Sequence, residues 1–210
     1  MNGRMGGNRV AAVLLAAGKS KRFGSNKLLH MLGGKRLIEW SLEPLIDSHP
    51  WKIAIVISEE DEFHDVLPED IIRIVNRSAE GGIGTSISLA TRNLENEVDG
   101  ILFTLADQPL LNKSDISAIL SEFYRNGNSI IACSSDDEVR NPILFPARFF
   151  NELKELNDDK GARQIALKHT DVLLKLPTDP SHLIDVDTVE DLKRVEKLLD
   201  NFMISYDPLI

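Results

Sequence analysis

One stretch near the N-terminus decides the fold class: Val10-Ala-Ala-Val-Leu-Leu-Ala-Ala-Gly-Lys-Ser-Lys-Arg-Phe-Gly-Ser-Asn-Lys27. Its first residues form an apolar run, which predicts a strand over Val10–Ala16. The run passes directly into a short loop that contains two glycines. An apolar strand that leads into such a loop is typical of α/β folds, in which ligands bind where parallel strands end.

The loop after this strand is strongly basic. It carries four cations within nine residues and two glycines: Lys19, Lys21, Arg22 and Lys27, with Gly18 and Gly24. Glycine can adopt backbone angles closed to other residues, so successive N–H groups can converge on phosphate oxygens while the cations add charge. The loop therefore predicts a site for a ligand with several negative charges held close together. The alternative is a solvated turn between a strand and a helix.

Charge is distributed unevenly along the chain. The 210 residues contain 24 lysines and arginines against 33 aspartates and glutamates, a net charge of −9. Residues 1–38 hold eight basic residues and no acidic one, and the other 172 residues, with 16 basic and 33 acidic groups, carry a net charge of −17. This asymmetry concentrates positive potential at one site. Nucleic acid needs broad phosphate neutralisation, so a small polyphosphate is the better ligand.

Composition places the chain among soluble globular proteins, with 42% hydrophobic and 27% charged residues. We expect one domain over residues 10–200, a flexible leader over 1–9 and a tail over 201–210. No apolar run is long enough to span a bilayer, and the first residues lack the apolar core of a signal peptide. The single Cys133 lies in an apolar strand and is predicted to be an inert, buried thiol. A cytoplasmic location is expected.

Apolar strands alternate with amphipathic helical patterns. Strands are predicted near Val10–Ala16, Lys52–Ser58, Ile71–Val75, Gly100–Leu105 and Ser129–Ser134. Helices are predicted near Arg36–Ile46, Ile83–Leu94, Ser114–Tyr124, Arg148–Leu156, Gly161–Lys168 and Val189–Leu199. The alternation predicts a mainly parallel sheet covered by helices on both faces. Residues 138–145, which include a proline, are interpreted as an insertion or a hairpin.

Because ligands gather at the carboxyl ends of parallel strands, three loops are expected around one crevice: residues 16–27, 76–84 and 106–111. Asp107 follows the strand Gly100–Leu105 and lies in the third of these loops. Mg²⁺ takes one or two protein carboxylates and fills its other positions with phosphate oxygens and water, so Asp107 is a candidate magnesium ligand. The alternative is an aspartate that only forms a turn.

A second carboxylate candidate is the segment Ile184-Asp-Val-Asp-Thr-Val-Glu-Asp-Leu192. In an extended backbone Asp185 and Asp187 would face the same way. The run Thr188-Val-Glu-Asp191 also resembles a capping box that opens the last helix, so these acidic residues have a purely structural interpretation as well. Proximity to Asp107 and to the basic loop favours the functional one.

Two further segments have both a functional and a structural interpretation. The glycine-rich run Asn76–Leu89 leads into a helix, and its N–H groups and hydroxyls could recognise a base or a ribose, or simply form a turn and a cap. It lacks the Gly-x-Gly-x-x-Gly pattern of dinucleotide binding. Asp159-Lys-Gly-Ala-Arg163 opens another helix and offers a second phosphate contact. The histidine spacing suits no metal site, and no nucleophile motif supports hydrolysis through a covalent intermediate.

Together these segments resemble the nucleotidyltransferases of the molybdenum-cofactor type. The matching motifs occur in the family's order and cover about residues 10–199: Leu15–Leu28, Gly33–Leu37, Asn76–Leu89, Leu105–Leu110, Lys160–Arg163 and Asp185–Leu192. Leu-Ala-Ala-Gly at residues 15–18, Ala-Asp-Gln-Pro at 106–109 and Asp-Val-Asp-Thr at 185–188 are closest to the cytidylyltransferase branch, whereas Leu-Ala-Gly-Gly is associated with GTP.

The resemblance implies a single-domain, three-layer α/β sandwich with a mixed, mainly parallel sheet, the Rossmann-like nucleotidyltransferase fold. It implies transfer of CMP from CTP to the phosphate of molybdenum-molybdopterin, with release of pyrophosphate and Mg²⁺ as the cofactor. The implied partners are CTP, the molybdopterin-type acceptor and, transiently, a molybdoenzyme or its chaperone, and neither nucleic acid nor a membrane. The alternatives are a nucleotidyltransferase acting on a sugar phosphate or other small phosphoester, with CTP or GTP, and a non-catalytic cofactor carrier.

The resemblance also assigns residues. Those expected to be catalytic are Arg22, Lys27 and Asp107. Those expected to bind the nucleotide are Leu15, Ala16, Ala17, Gly18, Lys19, Arg22, Lys27, Asn76, Gly82 and Ser86. Those expected to hold the metal are Asp107, Asp187 and Asp185, and those expected to bind the acceptor are Lys160 and Arg163.

Overall fold

The computed structural model of the chain describes residues 8–18, 23, 26–60, 63 and 66–205. Within these residues, the strands are β1 (Val10–Leu15), β2 (Met31–Leu32), β3 (Lys35–Arg36), β4 (Lys52–Ser58), β5 (Ile72–Asn76), β6 (Gly100–Leu105), β7 (Ile130–Ser135), β8 (Glu138–Pro146) and β9 (Leu173–Pro177). The α-helices are α1 (Leu37–Asp47), α2 (Ile83–Leu94), α3 (Lys113–Asn126), α4 (Phe150–Lys154), α5 (Arg163–Lys168) and α6 (Val189–Ser205).

Seven strands form one sheet in the order β5-β4-β1-β6-β8-β7-β9, and β2 and β3 form a separate hairpin. Every neighbouring pair in the large sheet is parallel except the two pairs that include β8. The expected mixed, mainly parallel α/β sheet is therefore confirmed. β1 lies between β4 and β6, so the loop that follows it is placed among the ends of parallel strands.

The core consists of two apolar layers, one on each face of the sheet. Alternate residues of β1, all of them buried, enter opposite layers: Val10, Ala12 and Leu14 one, and Ala11, Val13 and Leu15 the other. The first layer is covered by α1, α3 and α6, and the second by α2, α4 and α5. This strand has no solvent-facing side, which explains why its sequence is a continuous apolar run.

The structure decides one open interpretation and adds three strands that were not predicted. The segment interpreted as an insertion or a hairpin is β8: it forms a hairpin with β7 and also pairs with β6, so it lies inside the sheet. Strand β9 and the short hairpin of β2 and β3 were not predicted. β9 has no fully buried residue and ends at Pro177, so it lacks the apolar pattern of the inner strands.

The described termini extend beyond the predicted domain boundaries. Asn8 donates a hydrogen bond to the carbonyl of Tyr124, and Arg9 pairs with Asp99, so the end of the predicted leader is attached to the fold. Helix α6 continues to Ser205, five residues into the predicted tail. Within the described residues, no helix combines the length and the apolar character needed to cross a membrane. Cys133 is 1% exposed, and burial raises the pKa of its thiol to about 11.

Candidate functional site

The site begins where two adjacent parallel strands end. Leu15 of β1 lies opposite Leu105 of β6, and the hydrogen bond from the Ala106 N–H to the Leu15 carbonyl continues this pairing at 3.1 Å. On the other side, the Ala16 N–H donates to Val56 at 2.8 Å. These bonds anchor both chain segments just before they leave the sheet. The residues that follow, Ala17 and Asp107, are therefore held side by side at its carboxyl edge.

Lys27 is held between two carboxylates at this edge. Its Nζ donates to Oδ2 of Asp107 at 2.8 Å and to Oδ1 of Asp187 at 3.0 Å, although the three residues are far apart in sequence. Lys27 opens a short 3₁₀ helix whose first turn is capped by the Asn26 side chain. Only 12% of the Lys27 side chain is exposed, so the ammonium group is shielded from competing water.

The ion pairs govern the protonation of Lys27. Burial alone would lower the pKa of its ammonium group, but the charge and hydrogen bond of Asp107, together with those of Asp187, outweigh it. The net pKa is raised above the ordinary value for lysine. Lys27 is therefore fully cationic at neutral pH, and the site has a fixed positive charge between two negative ones.

The second carboxylate segment is fastened to the first by two hydrogen bonds. The Val186 N–H donates to the Asp107 carbonyl at 2.9 Å, and Gln108 Nε2 donates to Asp185 Oδ1 at 2.9 Å. Residues 184–187 of this segment have no regular secondary structure. Asp185 is therefore held by Gln108, whereas Asp187 extends to Lys27.

The predicted capping box is present and leaves Asp187 available. The Asp191 N–H donates to the Thr188 hydroxyl at 3.1 Å, and the Thr188 N–H donates back to the Asp191 carboxylate at 2.9 Å. Thr188 and Asp191 thus cap α6, and the Asp187 side chain is not needed for that purpose. This separates the structural from the functional interpretation of the segment.

The carboxyl group of Asp185 has a raised pKa. Although the residue as a whole is exposed, the partial burial of its carboxyl group is the largest cause of a pKa raised to about 6, followed by the negative charge of Asp107. The hydrogen bond from Gln108 acts in the opposite direction and lowers the pKa.

The glycine-rich run is braced from beneath by Asn76. This residue is 4% exposed, and its Nδ2 donates to the hydroxyls of Thr85 and Ser86, both at 2.9 Å. Its Oδ1 accepts a hydrogen bond from the Ser78 N–H. Asn76 was predicted to bind the nucleotide; it does not line the cavity described below, and its hydrogen bonds hold the loop in shape.

The glycines of this run allow close packing against residues 157–159. A Cβ atom on Gly82 would lie 2.2 Å from Asp159 Oδ1, and one on Gly84 would lie 2.7 Å from the Asp158 carbonyl oxygen. The Gly84 N–H donates to that same carbonyl at 2.8 Å. Gly82 also has a φ of +97°, which disfavours any other residue. These glycines are explained by packing before any ligand is considered.

A cavity of about 770 Å³ opens between these segments. It is lined by eight residues that the sequence predicted for the site: Leu15, Ala17, Gly18, Lys27, Gly82, Ser86, Asp107 and Asp187. It is also lined by five that were not predicted: Ala79, Glu80, Ile83, Leu105 and Asp159. The last of these lies in the helix-opening segment that the sequence did single out, one residue before Lys160.

The remaining predicted residues fall into two groups. Lys19 and Arg22, with Lys21 and Gly24, lie outside the described residues. Ala16 is 2% exposed and does not line the cavity. The cavity is not lined by Asp185, Lys160 or Arg163 either. The Nη2 atom of Arg163 lies 3.6 Å from Oε2 of Glu138, with which it forms an ion pair.

Gly18 corrects one expectation about the basic loop. It is exposed, its φ lies outside the left-handed range, and a Cβ atom there would meet nothing within 4 Å. The described protein atoms therefore do not require glycine at this position, unlike Gly82.

The carboxylates at the cavity offer oxygen atoms that could bind a metal ion. Among the described residues, no group of three or more histidine, cysteine, aspartate or glutamate side chains is arranged to enclose a metal ion. Asp107 and Asp187 nevertheless converge on the same ammonium group. A pair of carboxylates on an open cavity fits Mg²⁺, which binds few protein ligands and completes its shell with phosphate oxygens and water.

The fold and this site define a class of protein. The family model of the MobA-like NTP transferase domain matches residues 12–172, and the chain belongs to that family. It is thus a nucleotidyltransferase by family, as the sequence motifs predicted.

Curated relatives and solved structures show what the chain is similar to. It is 30% identical over 203 residues to the "Purine catabolism protein PucB" of Bacillus subtilis, covering 90% of this chain and 97% of the relative. It is 26% identical over 155 residues to a "Probable molybdenum cofactor guanylyltransferase" of Thermococcus gammatolerans, covering 72% and 75%. It also matches bifunctional GlmU proteins, such as that of Gloeothece citriformis (32% over 124 residues), but spans only 28% of that relative's length.

Among solved structures, the crystal structure of Rv0371c from Mycobacterium tuberculosis superposes with a TM-score of 0.82 at 23% identity, covering 92% of this chain and all of that one. A structure of the same protein is described as a complex with manganese. At this level of identity the likeness shows the fold alone.

Proposed function

We propose that this protein transfers CMP from CTP to the phosphate of molybdenum-molybdopterin and releases pyrophosphate, forming the cytosine dinucleotide form of the cofactor. One observation carries the proposal. Lys27, whose side chain is only 12% exposed, and two converging carboxylates line a cavity that is also lined by Ala17 and Gly18 and by the glycine-rich run. A cation and a potential metal site on one cavity suit a nucleoside triphosphate, because its phosphates need both charge neutralisation and alignment.

The chemistry needs no strong base. A phosphate oxygen of the acceptor is already anionic, and it attacks the α-phosphorus of CTP. The new bond joins that oxygen to phosphorus, and the bond from phosphorus to the bridging oxygen breaks, so that its electron pair leaves with pyrophosphate. Catalysis then consists of alignment and of neutralising the charge that builds on the transferring group and the leaving group.

Each proposed residue has one task. Lys27 contacts the phosphates, and Arg22 of the same loop is assigned a similar task on the sequence pattern. Asp107 and Asp187 hold Mg²⁺, which when bound neutralises phosphate charge and orients the triphosphate. Gly18 has open space where a side chain would begin, so its backbone can approach the triphosphate. Lys160 and Arg163, beside the cavity-lining Asp159, are proposed to contact the acceptor.

The preference for CTP is assigned to the wall near Ala17. This residue is 7% exposed, lines the cavity and follows directly on the sheet-anchored Ala16. Its methyl group takes space that glycine would leave open, which favours the smaller cytosine ring over a purine. Pocket shape of this kind discriminates by about 1–3 kcal/mol, so we expect a preference rather than complete exclusion.

The relatives support two acceptors to different degrees. The name of the Thermococcus gammatolerans relative contains the molybdenum cofactor, and that match covers most of both chains. The GlmU matches favour, as a second candidate, a sugar phosphate or another small phosphoester as the acceptor. For the proposed acceptor we place the reaction in the cytoplasm and expect a transient contact with a molybdoenzyme or its chaperone, which would receive the product.

A product assay tests the proposal. The purified protein with Mg²⁺ is incubated with each of the four NTPs and either molybdenum-loaded molybdopterin or a panel of sugar 1-phosphates, and the products are identified by mass spectrometry. We expect the cytosine dinucleotide cofactor with CTP. A nucleoside-diphosphate sugar would support the second candidate, and binding of the nucleotide without any product would support a carrier.

A further inference from the structure

Gln108 is a buried polar residue directly after the proposed metal ligand Asp107, and the proposed chemistry does not use it. It is 3% exposed, and its Nε2 donates to Asp185 Oδ1 at 2.9 Å. Its amide oxygen is buried and has no hydrogen-bond partner among the described residues. A buried polar atom without a partner lowers stability, because it has lost its water and gained nothing.

The unpaired oxygen makes a purely structural role for Gln108 unfavourable. An apolar side chain of similar length and shape would fill the same space without burying an unpaired acceptor. The carboxyl group of Asp185 is partly buried, but the residue as a whole is exposed, so water can replace the lost hydrogen bond. The stability of the fold therefore does not account for a glutamine at this position.

The one hydrogen bond that Gln108 makes has a specific geometric effect. Together with the bond from the Val186 N–H to the Asp107 carbonyl, it ties residues 107–108 to residues 185–186 at two adjacent points. The next residue, Asp187, shares Lys27 with Asp107. The spacing between the two proposed metal ligands therefore depends on this pair of bonds.

We propose that Gln108 is a positioning residue for the metal site: its buried amide holds Asp185, and so fixes the segment that presents Asp187 beside Asp107. The inference rests on the proposed function for the identity of the metal ligands. It also gives Asp185 the task of an anchor that binds Gln108, rather than that of a metal ligand. Groups that orient a metal ligand in this way typically change metal affinity by roughly 10-fold or more when they are removed.

The test compares metal affinity with stability. Mn²⁺ is titrated into the full-length protein with CTP and without an acceptor, free Mn²⁺ is measured by electron paramagnetic resonance, and Tm is measured on the same samples. Gln108→Met removes the amide but keeps the shape. We expect its affinity for Mn²⁺ to fall roughly 10-fold while its Tm stays equal or rises. Gln108→Glu, which places a second carboxyl group against Asp185, should weaken binding further.

Ser41→Ala is the matched control. Ser41 is 1% exposed and donates to the Ala106 carbonyl at 2.8 Å, so it braces the same strand end without touching residues 185–187. This variant should lower Tm and leave Mn²⁺ affinity unchanged. The inference is overturned if Gln108→Met binds Mn²⁺ as the wild type does, or if both variants lose affinity only in proportion to Tm. It is also overturned if the wild type binds no Mn²⁺.

The proposed function can fail separately. A wild-type protein that binds Mn²⁺ through Gln108-dependent positioning, but forms product only with another nucleotide or acceptor, would keep this inference and refute the choice of CTP or of molybdopterin.

Discussion

Lys27 is the residue whose surroundings are most specific to the site. Its ammonium group forms ion pairs with two carboxylates, and only 12% of its side chain is exposed. Under the proposed function, the two carboxylates would turn to the metal ion and the ammonium group to the phosphates, with no net change of charge in the protein.

Asp107→Ala should abolish transfer and leave the protein folded. Asp107 is one of two carboxylates at the cavity, and the loss of a metal ligand removes charge stabilisation in the transition state, on the order of 10²-fold or more in rate. Pyrophosphate release is measured at saturating CTP and Mg²⁺, and circular dichroism checks the fold. Turnover near the wild-type rate would show that Asp107 does not hold the metal.

Lys27→Ala should lower kcat more than it raises the KM for CTP. Charge builds on the bridging oxygen as the bond breaks, so a contact with the phosphates strengthens along the reaction. Lys154→Ala is the control, because Lys154 forms a similarly shielded ion pair with Glu95 at 2.5 Å and does not line the cavity. The kcat and the KM for CTP are measured for both variants by steady-state kinetics. An unchanged kcat in Lys27→Ala would show that Lys27 only binds the nucleotide.

Ala17→Gly should relax the preference of the enzyme for CTP towards GTP. The substitution removes the methyl group that narrows the cavity, and one such group is worth about 1–3 kcal/mol of discrimination. The ratio of kcat/KM for CTP to that for GTP is measured in the parent and in the variant. If the parent already uses GTP as well as CTP, the assignment to cytidylyl transfer is wrong, although the nucleotidyltransferase family remains.

At the scale of elements, helix α2 is placed by the contact between its first turn and residues 157–159. Gly84→Ala would put a Cβ atom 2.7 Å from the Asp158 carbonyl oxygen, a backbone atom that has little room to move. Overpacking of this kind lowers the free energy of unfolding by about 1–3 kcal/mol. This exceeds the roughly 1 kcal/mol by which alanine stabilises a helix relative to glycine. We expect a lower Tm and weaker nucleotide binding.

The control for this prediction is the same substitution at Gly18, where a Cβ atom would meet nothing within 4 Å. Thermal unfolding of Gly18→Ala should match the wild type. Equal Tm values for Gly84→Ala and the wild type would show that residues 157–159 yield to the extra methyl group.

The sequence predicted the elements whose patterns are local. β4 and β6 have the bounds expected from their apolar runs, and α2 begins at the residue predicted after the glycine-rich run. The segment of β8 was predicted only as an insertion or a hairpin, because its proline and charged residues interrupt the apolar pattern of a strand. Its place in the sheet depends on its pairing with β6 and β7. The capping box of α6 was visible, since its spacing is fixed by the first helical turn.

The sequence predicts those site residues that follow the carboxyl ends of parallel strands, where ligands bind. It does not predict which polar residues the packing of the fold will bury. Lys27 and Asp107 follow from loops that were expected to meet at one edge of a parallel sheet, whereas Asp187 was a candidate because of its Asp-Val-Asp pattern. Asn76 was assigned to the nucleotide because a polar residue after a strand fits that task, but burial turned it into a brace for Thr85 and Ser86. No local pattern shows which polar residue will be covered by the rest of the fold.

At the scale of the whole molecule, the sheet separates two apolar layers and leaves one edge for chemistry. The chain carries a net charge of −9, and its first 38 residues hold eight basic residues, among them the cavity-lining Lys27, and no acidic one. The other 172 residues, with a net charge of −17, repel an anionic ligand. This charge pattern suits a small polyphosphate and disfavours a nucleic acid.

The proposed transfer of the nucleotidyl group of CTP at this cavity is tested most directly by following the labelled phosphates. The protein is incubated with Mg²⁺, molybdenum-loaded molybdopterin and CTP labelled in either the α- or the γ-phosphate, and Asp107→Ala is run in parallel. We expect the α-label in the pterin product and the γ-label in pyrophosphate, with neither transfer in the variant. A γ-label on the pterin, or CTP that is bound and recovered intact, would contradict the claim.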